Sequence, residues 1–408
     1  MRETRTVVTG LGAVSALGHD VAANWAASRD GCGRIEIREL DAGKYAPASR
    51  PLPVAIVEPG VQEALEEALG HRVGALDPAA IYAFKAVHEA LGQAGLVSHP
   101  SLAGRTAVVL GHGNGGAHTL EQAYERYFGM KLQRTHPLTV PRIMVSAPVS
   151  AITMEFGIKG PAFSVSSACS SSGHAIAQGA MMIGAGLADV AIVGGSEAIV
   201  TPGIMWAWDS LQAISHASCR PFSAGRDGTV IGEGAAALIL ESHEHATARG
   251  VAILGELCGM GLSSDAFHWT QPSLEGAKSA MTQACASAGI LESEGLLISA
   301  HGTGTVLNDR NEAQAIREVF GPRAPSHHVT ATKSAHGHVI GASAALQAVI
   351  GLNALRAGAA PPVLNYLGAD PECDVNLVLG AARPIASTHL LVNSFAFGGL
   401  NTALVFKR

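Results

Sequence analysis

The sequence predicts an α/β protein built around a buried sheet, and three observations support that fold class. Short, continuous apolar segments alternate with segments of helical periodicity, a pattern typical of strands covered by helices. Two helical segments, 175–188 and 339–355, are apolar nearly all round, as helices buried on every side are. Charged residues make up only 15% of the chain, against about 25% in an average globular protein. We therefore expect a layer of helices covered by sheet on both faces.

Composition and charge exclude several classes of function. The net charge is −6, with no basic run, which argues against a nucleic-acid partner. Six scattered cysteines without a CxxC pair exclude a disulfide scaffold and show no zinc-site spacing. Ser343, Gln347 and Asn353 interrupt the apolar segment 339–355, so we expect no membrane span. MRETRTVVTGLG contains no signal-peptide core, and a reduced, cytoplasmic protein is the simplest expectation.

The first half of the chain should contribute five strands to the sheet. We expect strands at 6–11, 106–110, 163–167, 189–194 and 235–241, and helices within 61–97 and at 175–188. The first strand ends at a Gly-rich turn, the second at GHGNGG, and the third runs directly into Cys169 and the buried helix. Reactive groups at strand ends are typical of α/β active sites.

The second half follows a similar order. We expect strands at 251–260, 296–300, 329–332 and 390–393, and helices at 276–288 and 339–355. Three of these strands lead into HGTGT, KSAHGH and SFAFGG. The order is compatible with an internal duplication, with halves at 1–245 and 250–408. No linker rich in proline, serine or charge separates the halves, so they should pack tightly.

Cys169 is the candidate nucleophile. It follows a strand and opens a helix of small residues, in SVSSACSSSGHAIAQ. A helix N-terminus favours thiolate over thiol, and the strand–nucleophile–helix order is similar to the elbow of serine hydrolases. A buried, inert cysteine is the alternative. That alternative fits the other five cysteines, whereas the small neighbours of Cys169 would admit a substrate.

Two further strand ends carry groups suited to work beside a thiol. His301 ends an apolar strand next to glycines in HGTGT, where Thr303 and Thr305 could donate hydrogen bonds to an amide-bearing ligand. Lys333 in TKSAHGH lies at the edge of an apolar block and needs a partner.

Two carboxylates in NDRNE, Asp309 and Glu312, could neutralise Lys333. We expect Glu312 to be the partner. The alternative is a salt bridge that only holds the turn.

Together these groups indicate acyl transfer through a thioester. The last strand ends at NSFAFGG, whose Gly-rich turn would supply backbone N–H groups to an oxyanion. Two histidines can both donate to a carbonyl oxygen as it becomes an enolate, which suits decarboxylation. A zinc site of His301, His336 and His338 is disfavoured, since no further fixed ligand is signalled, and we expect no metal.

In combination, the motifs resemble those of the β-ketoacyl synthases of the thiolase superfamily. The resemblance runs from VVTGLGAVSALG at residue 7 to NSFAFGGLNTALVF ending at residue 406. It rests on VSSACSSSGHAI, CRPFSAGRDGTVIGEGA, HGTGT, NDxxE, TKSxxGHxxGA and NSFxFGG. Their order matches the elongating enzymes better than the starter-unit class, which uses Cys, His and Asn. The resemblance implies a thiolase-like five-layered αβαβα fold with two pseudo-duplicated halves.

The implied reaction is decarboxylative condensation of a Cys-bound acyl group with malonyl-[acyl carrier protein], in fatty acid or type II polyketide or polyene biosynthesis. The resemblance makes Cys169 the acyl acceptor and His301 and His338 the decarboxylation and condensation pair. Lys333, paired with Glu312, would support His338.

The resemblance also implies how the substrates are held. Backbone N–H groups of Cys169 and Phe397 would form the oxyanion hole, and Phe397 would gate the acyl pocket. Thr303 and Thr305 would hold the phosphopantetheine arm of an acyl carrier protein, so no separate cofactor is expected. The partners would be that carrier and a second subunit, either a copy of this chain or a related ketosynthase or chain-length-factor subunit.

Several residues depart from the usual family pattern. Asn114 stands where many long-chain enzymes have an apolar residue, and Trp208 makes its segment bulky; we expect both to line the acyl pocket. His336, Ala396 and Leu400 also differ from the common pattern. We expect a pocket that is not tuned to a long saturated chain, because a buried amide would lose its water against alkyl groups.

Three other functions compete with condensation. A non-catalytic chain-length-factor subunit is the main alternative, and such subunits typically lack the cysteine. A degradative thiolase needs a second cysteine near the C-terminus, which NSFAFGG does not supply. A cysteine hydrolase would not need two histidines and a lysine.

Overall fold

The structure is a computed structural model that describes residues 4–40 and 51–408. The strands are β1 (Thr6–Ser15), β2 (Glu36–Arg38), β3 (Leu52–Ala55), β4 (Thr106–Gly111), β5 (Ala162–Val165), β6 (Val190–Glu197), β7 (Ile231–Gly232), β8 (Gly234–Ser242), β9 (Gly255–Ser264), β10 (Leu297–Ser299), β11 (His328–Thr330), β12 (Ala359–Ala360), β13 (Arg383–Pro384), β14 (His389–Phe395) and β15 (Leu400–Lys407). The helices are α1 (Val21–Arg29), α2 (Val61–Leu69), α3 (Pro78–Gln93), α4 (Ala117–Tyr124), α5 (Thr139–Ile143), α6 (Ala147–Phe156), α7 (Ser171–Gly184), α8 (Pro202–Ser210), α9 (His243–Arg249), α10 (Leu274–Ser287), α11 (Val306–Phe320), α12 (Lys333–His336) and α13 (Ser343–Ala357).

The main sheet consists of two five-stranded halves with the same strand order. Within the described residues its order is β11-β10-β14-β15-β9-β1-β8-β6-β4-β5. In the N-terminal half, β4 pairs in parallel with β5 and β6, and β8 lies antiparallel to β6 and β1. In the C-terminal half, β10 pairs in parallel with β11 and β14, and β15 lies antiparallel to β14 and β9. The halves are therefore structural repeats, joined where β1 pairs with β9.

The helices form three layers around the two half-sheets. α3 and α6 cover the outer face of the N-terminal half, and α10 and α11 cover that of the C-terminal half. α7 and α13 pack between the two half-sheets and against each other. The predicted α/β fold class and its five-layered αβαβα arrangement are confirmed.

The inner helices are buried because their surfaces are apolar on every side. In α13 nearly all side chains are inaccessible to solvent. The segment Ile340–Ala357 is long and apolar enough to cross a membrane by length and composition alone. It is instead mostly buried within the protein, as the sequence predicts for a core helix.

Several predicted strands have different bounds in the structure, and two of the differences have a clear local cause. The strand expected at 251–260 begins only at Gly255, because α9 ends at Gly250 in a left-handed conformation (φ 65°) and the chain then crosses to the sheet edge. The strand expected at 163–167 ends at Val165, because the next residues enter the tight turn that carries Cys169 and leads into α7.

Candidate active site

Cys169 lies in a tight turn between β5 and α7. The turn is a 3₁₀ segment, Ala168–Ser170, and Ala168 takes a left-handed conformation with φ of 51°. That conformation is rare for a residue with a side chain, and it places the nucleophile at the abrupt change from strand to helix. The hydroxyl of Ser394, from β14, donates to the Cys169 carbonyl at 2.8 Å. The two halves of the molecule thus hold the turn together.

The resting thiol of Cys169 is protonated, which corrects the expectation that the helix start favours thiolate. Burial raises the pKa of Cys169 to about 11. The positive charge of Lys333 and the backbone N–H groups of Phe397 and of Cys169 itself lower that pKa, but their effect is smaller than that of burial. The side chain is 5% exposed, so removing the sulfur from water outweighs the helix terminus.

The same two backbone N–H groups define a position at which an oxyanion would be stabilised. The N–H groups of Cys169 and Phe397 both approach the Cys169 sulfur. Phe397 opens a 3₁₀ turn that follows β14, and the Gly398 N–H in that turn donates to the Trp269 carbonyl at 2.8 Å. Phe397 stacks on Trp208 with ring centroids 5.9 Å apart. The arrangement suits an oxyanion at a carbonyl bound to Cys169.

His301 and His338 lie side by side next to the sulfur. His301 lies two residues after the end of β10, and the Val230 carbonyl accepts the His338 N–H at 2.6 Å. The two rings are nearly perpendicular, with centroids 5.4 Å apart. Burial, followed by the charge of Lys333, holds the pKa of both imidazoles well below 6.5. Both histidines are therefore neutral at pH 7.

Lys333 contacts His301 and not Glu312, which corrects the predicted pair. Its Nζ donates to the His301 carbonyl at 2.6 Å, to His301 Nδ1 at 3.4 Å and to Gln347 Oε1 at 2.9 Å. Glu312 acts on Lys333 only through its charge, which partly offsets the burial that lowers the Lys333 pKa to about 8. The ammonium therefore supports His301 directly.

The two acidic residues of α11 hold the HGTGT loop instead. Glu312 accepts the N–H groups of His301 and Gly302, both at 2.8 Å, and the side-chain amide of Asn393 at 3.0 Å. Asp309 accepts the backbone N–H groups of Thr303, Gly304 and Phe222. They are three residues apart on a helix and so share a face, from which they fix the backbone around His301.

A cavity of about 270 Å³ opens onto these groups. Of the predicted site residues, its wall includes Cys169, His301, His338, Thr303, Thr305, Trp208 and Phe397. The hydroxyl oxygens of Thr303 and Thr305 lie 2.9 Å apart. The structure thus brings together residues from five separate segments of the chain.

Asn114 does not line this cavity, contrary to the prediction for the acyl pocket. Its side chain is exposed to solvent and is not part of the cavity wall. The reason is the buried carboxylate of Glu197, which accepts the backbone N–H groups of Gly113 and Asn114 at 2.7 and 3.0 Å and holds this loop. Asn114 therefore gives no reason to expect a pocket that excludes a long saturated chain.

The structure adds three residues that sequence reasoning did not assign to the site. Gln347 joins Lys333 to the carbonyl of Ala300, and Ser343 bonds His338 Nδ1 at 2.8 Å. Both were visible as polar interruptions of an apolar buried helix. Glu197 accepts the N–H of Gly341 at 3.0 Å, and a buried glutamate at the end of an apolar strand was its signal.

The cluster with metal-ligand geometry differs from the one considered from the sequence. His336 is not part of it, because its Nε2 bonds the Thr332 hydroxyl at 3.0 Å. The donor atoms of Cys169, His301 and His338 lie within 4.8 Å of one another and could hold a soft metal ion. They also surround the cavity in which a thioester carbonyl would react.

Comparison with known proteins places these features in one family. The chain matches the family description "Beta-ketoacyl synthase, N-terminal domain" over residues 3–246 and "Beta-ketoacyl synthase, C-terminal domain" over residues 254–367. It is 39% identical to Nodulation protein E of Rhizobium meliloti (strain 1021), with 100% of both chains covered. It is 34% identical to 3-oxoacyl-[acyl-carrier-protein] synthase 2 of Staphylococcus aureus (strain COL), covering 99% of this chain and 98% of that protein. Among solved structures it is similar to the ishigamide ketosynthase/chain length factor, with a TM-score of 0.91 and 29% identity over 99% of both chains.

Proposed function

The chain belongs to the β-ketoacyl synthase family and is a condensing acyltransferase of fatty acid or polyketide biosynthesis, and from that premise we propose how its residues carry out the reaction. An acyl group on Cys169 is joined to malonyl-[acyl carrier protein] to give 3-oxoacyl-[acyl carrier protein] and CO₂. One observation carries the proposal: a thiol, two neutral imidazoles and two backbone N–H groups meet at one cavity.

The first step transfers the acyl group to Cys169. The sulfur attacks the thioester carbonyl of an acylated carrier, and the carrier's thiol leaves with the proton that Cys169 gives up. The N–H groups of Cys169 and Phe397 stabilise the oxyanion of the tetrahedral intermediate. Because the resting thiol is protonated, its proton passes to the carrier's sulfur as that thiolate leaves. The Nε2 of His338 is buried and has no hydrogen-bond partner in the described structure, so its N–H stays free for the substrate oxygen in the next step.

The second step releases CO₂ from the malonyl group. The bond between the α-carbon and the carboxylate breaks, and its electron pair forms the enolate of the thioester. His301 and His338 donate to the enolate oxygen. Neutral imidazoles are suited to this because they donate without giving up a full proton.

The third step forms the new carbon–carbon bond. The enolate α-carbon attacks the acyl carbonyl on Cys169, and the same two N–H groups hold the resulting oxyanion. Collapse of this intermediate expels the Cys169 thiolate, which takes up one proton and returns to its resting state. One proton is consumed and one CO₂ is released in each cycle.

We also propose the partners. Thr303 and Thr305 at the cavity wall bind the phosphopantetheine arm of the acyl carrier protein, and the reaction needs no other cofactor. The lining of apolar and hydroxyl groups suits an arm that combines alkyl and amide segments. We also propose a cytoplasmic location, in which the six free cysteines would stay reduced.

A second chain of the same fold is proposed to pack on the N-terminal half. β5 is the outer strand of the sheet, and its Ala162 and Phe163 are exposed. Large exposed apolar side chains occur on the neighbouring segments, among them Tyr124, Tyr127, Phe128, Met144 and Met154. An unpaired strand beside apolar surface favours association. If the chain forms a homodimer, light scattering of the purified chain should give a mass of about twice 41.7 kDa. If it forms a heterodimer, a mass of this size should appear only when the chain is co-expressed with a related subunit.

Replacement of Cys169 by alanine tests the function. The variant should lose condensation and should no longer gain acyl mass on the peptide that contains residue 169. Cys285→Ala is the matched control, because this buried cysteine lies in α10, away from the cavity. Normal condensation by Cys169→Ala would contradict the proposal and favour a chain that only shapes a partner's pocket.

A further inference from the structure

Two buried polar atoms in the cavity wall lack a hydrogen-bond partner in the described part of the chain. One is His338 Nε2, which the proposed mechanism uses. The other is the hydroxyl oxygen of Thr229, a residue that is 3% exposed and that no step above employs. Buried hydroxyls are nearly always hydrogen-bonded, so a free one that lines a reactive cavity indicates a contact made only by the substrate.

The backbone around Thr229 is fully engaged, so its position is fixed. Its N–H donates to the Ala213 carbonyl and its carbonyl accepts the Ser215 N–H, both at 2.8 Å. The preceding residue, Gly228, donates to the Gly304 carbonyl at 3.1 Å, and the following residue accepts from His338. Thr229 is thus placed between the HGTGT loop and His338.

The thiol of Cys219 lies within reach of the Thr229 hydroxyl and interacts with it through its sulfur. That thiol already contacts the Thr303 carbonyl, with sulfur and oxygen 3.4 Å apart. A thiol is a weak hydrogen-bonding group. The Thr229 hydroxyl is therefore free to donate to a stronger acceptor in the cavity.

We propose that the Thr229 hydroxyl binds and orients the carboxylate of the malonyl group; this inference rests on the proposed function. His301 and His338 are assigned to the thioester oxygen, which leaves the carboxylate as the remaining acceptor of the substrate's reacting end. No lysine or arginine is among the cavity-lining residues. Lys333 is occupied by His301 and Gln347.

A neutral donor suits a carboxylate that must leave as CO₂. An ion pair would stabilise the substrate's charge and would be lost as the charge moves to the enolate, which raises the barrier. A single hydroxyl orients the carboxylate and stabilises its charge less than an ion pair would, so it raises the barrier less. During the step the Cα–carboxylate bond breaks, its electrons pass to the enolate, CO₂ departs neutral, and Thr229 keeps its proton.

Thr229→Val and Thr229→Ser test this contact in the full-length protein with its carrier protein. Valine keeps the shape and removes the hydroxyl. We expect KM for malonyl-[acyl carrier protein] to rise about tenfold, the loss of one hydrogen bond to a charged group, while the rate of Cys169 acylation stays unchanged. Serine should restore KM to within about threefold of wild type, since it keeps the donor.

Thr402→Val is the matched control, because Thr402 is equally buried with an unpartnered hydroxyl but does not line the cavity. Its KM should equal that of wild type. An unchanged KM in Thr229→Val would overturn the inference, and so would a defect confined to acylation, which would place the contact on the acyl chain. If wild-type Cys169 were not acylated at all, the proposed function itself would fail, so the two failures are distinguishable.

Discussion

At the scale of single residues, Lys333 determines which nitrogen of His301 carries the proton. An ammonium has donors only, so the His301 Nδ1 that it contacts at 3.4 Å accepts. The proton of the neutral ring is then on Nε2, where it can donate to a substrate oxygen. The second imidazole is oriented by a hydroxyl, Ser343, and not by a charge.

Removal of either imidazole should affect CO₂ release more than acylation. We expect His301→Ala and His338→Ala to slow CO₂ release from malonyl-[acyl carrier protein] by about 10²–10³, the effect of losing one oxyanion donor. Cys169 acylation should fall by much less. Parallel assays of CO₂ release and of acyl mass on Cys169 separate the two steps. His336→Asn, in the same turn but outside the cavity, should behave like wild type in both; failed acylation with normal CO₂ release would reverse the assigned roles.

At the scale of elements, close packing of β4 against α7 positions the nucleophile. A Cβ on Gly111, the last residue of β4, would lie 2.3 Å from the backbone of Ser171 and Ser172 at the start of α7. Real Cβ atoms do not approach backbone that closely, so the strand requires glycine here. The helix can then begin two residues after Cys169.

Gly111→Ala should therefore displace the start of α7. We expect condensation to fall at least tenfold, and overpacking to lower the free energy of unfolding by about 1–3 kcal/mol. Activity assays and urea unfolding measure both effects. Gly184→Ala at the other end of α7 is the matched control, because its Cβ would meet no atom within 4 Å. That variant should keep activity and gain up to about 1 kcal/mol; equal activity in the two variants would contradict the argument.

At the scale of the whole molecule, burial of neutral histidines links stability to pH. Burial lowers the pKa of His112 to about 4 and of His336 to about 3, and holds those of His301 and His338 well below 6.5. Below pH 6.5 the unfolded chain binds protons at these rings that the folded chain does not. These four histidines therefore contribute to the free energy of unfolding above pH 6.5, and this contribution is lost as the pH falls.

Buried carboxyl groups act in the opposite direction. Burial raises the pKa of Glu197 and of Glu312 to about 7 and also raises the pKa of Glu89 and of Asp309, so in the folded chain these groups bind protons in mild acid that the unfolded groups do not. Burial also lowers the pKa of His174, and that of His327 to about 4, so the buried imidazoles outnumber the carboxyl groups. The net effect is loss of stability toward acid.

Urea unfolding at pH 7.5, 6.5 and 5.5 should show this loss. Each net proton changes the free energy of unfolding by about 1.4 kcal/mol per pH unit, so a fall between pH 6.5 and 5.5 is expected. His336→Asn should reduce the slope by about one proton while leaving the fold intact. Rising stability toward pH 5.5, or an unchanged slope in the variant, would contradict this assignment of the buried charges.

Several features can be predicted from the amino-acid sequence alone: the repeated order of strands and helices, the buried inner helices, and the strand ends that carry Cys169, His301, Lys333 and Phe397. These features depend on hydrophobic period and turn residues within segments of some twenty residues, where neighbours in sequence are neighbours in space. The structure confirmed the fold class for that reason. The predicted strand bounds differ from the observed ones where the chain crosses between layers, as at Gly255, where β9 begins four residues later than predicted.

Which groups meet in the site, and how burial changes their pKa values, depends on the folded chain and not on local sequence. Lys333 reaches His301 and not Glu312, and the Cys169 carbonyl is held by Ser394, 225 residues away. Burial, and not the local helix terminus, sets the pKa of Cys169. Hydrogen-bond partners and solvent exclusion arise from segments distant in the chain, so no local pattern encodes them. The exposure of Asn114 and the free hydroxyl of Thr229 follow from the same cause.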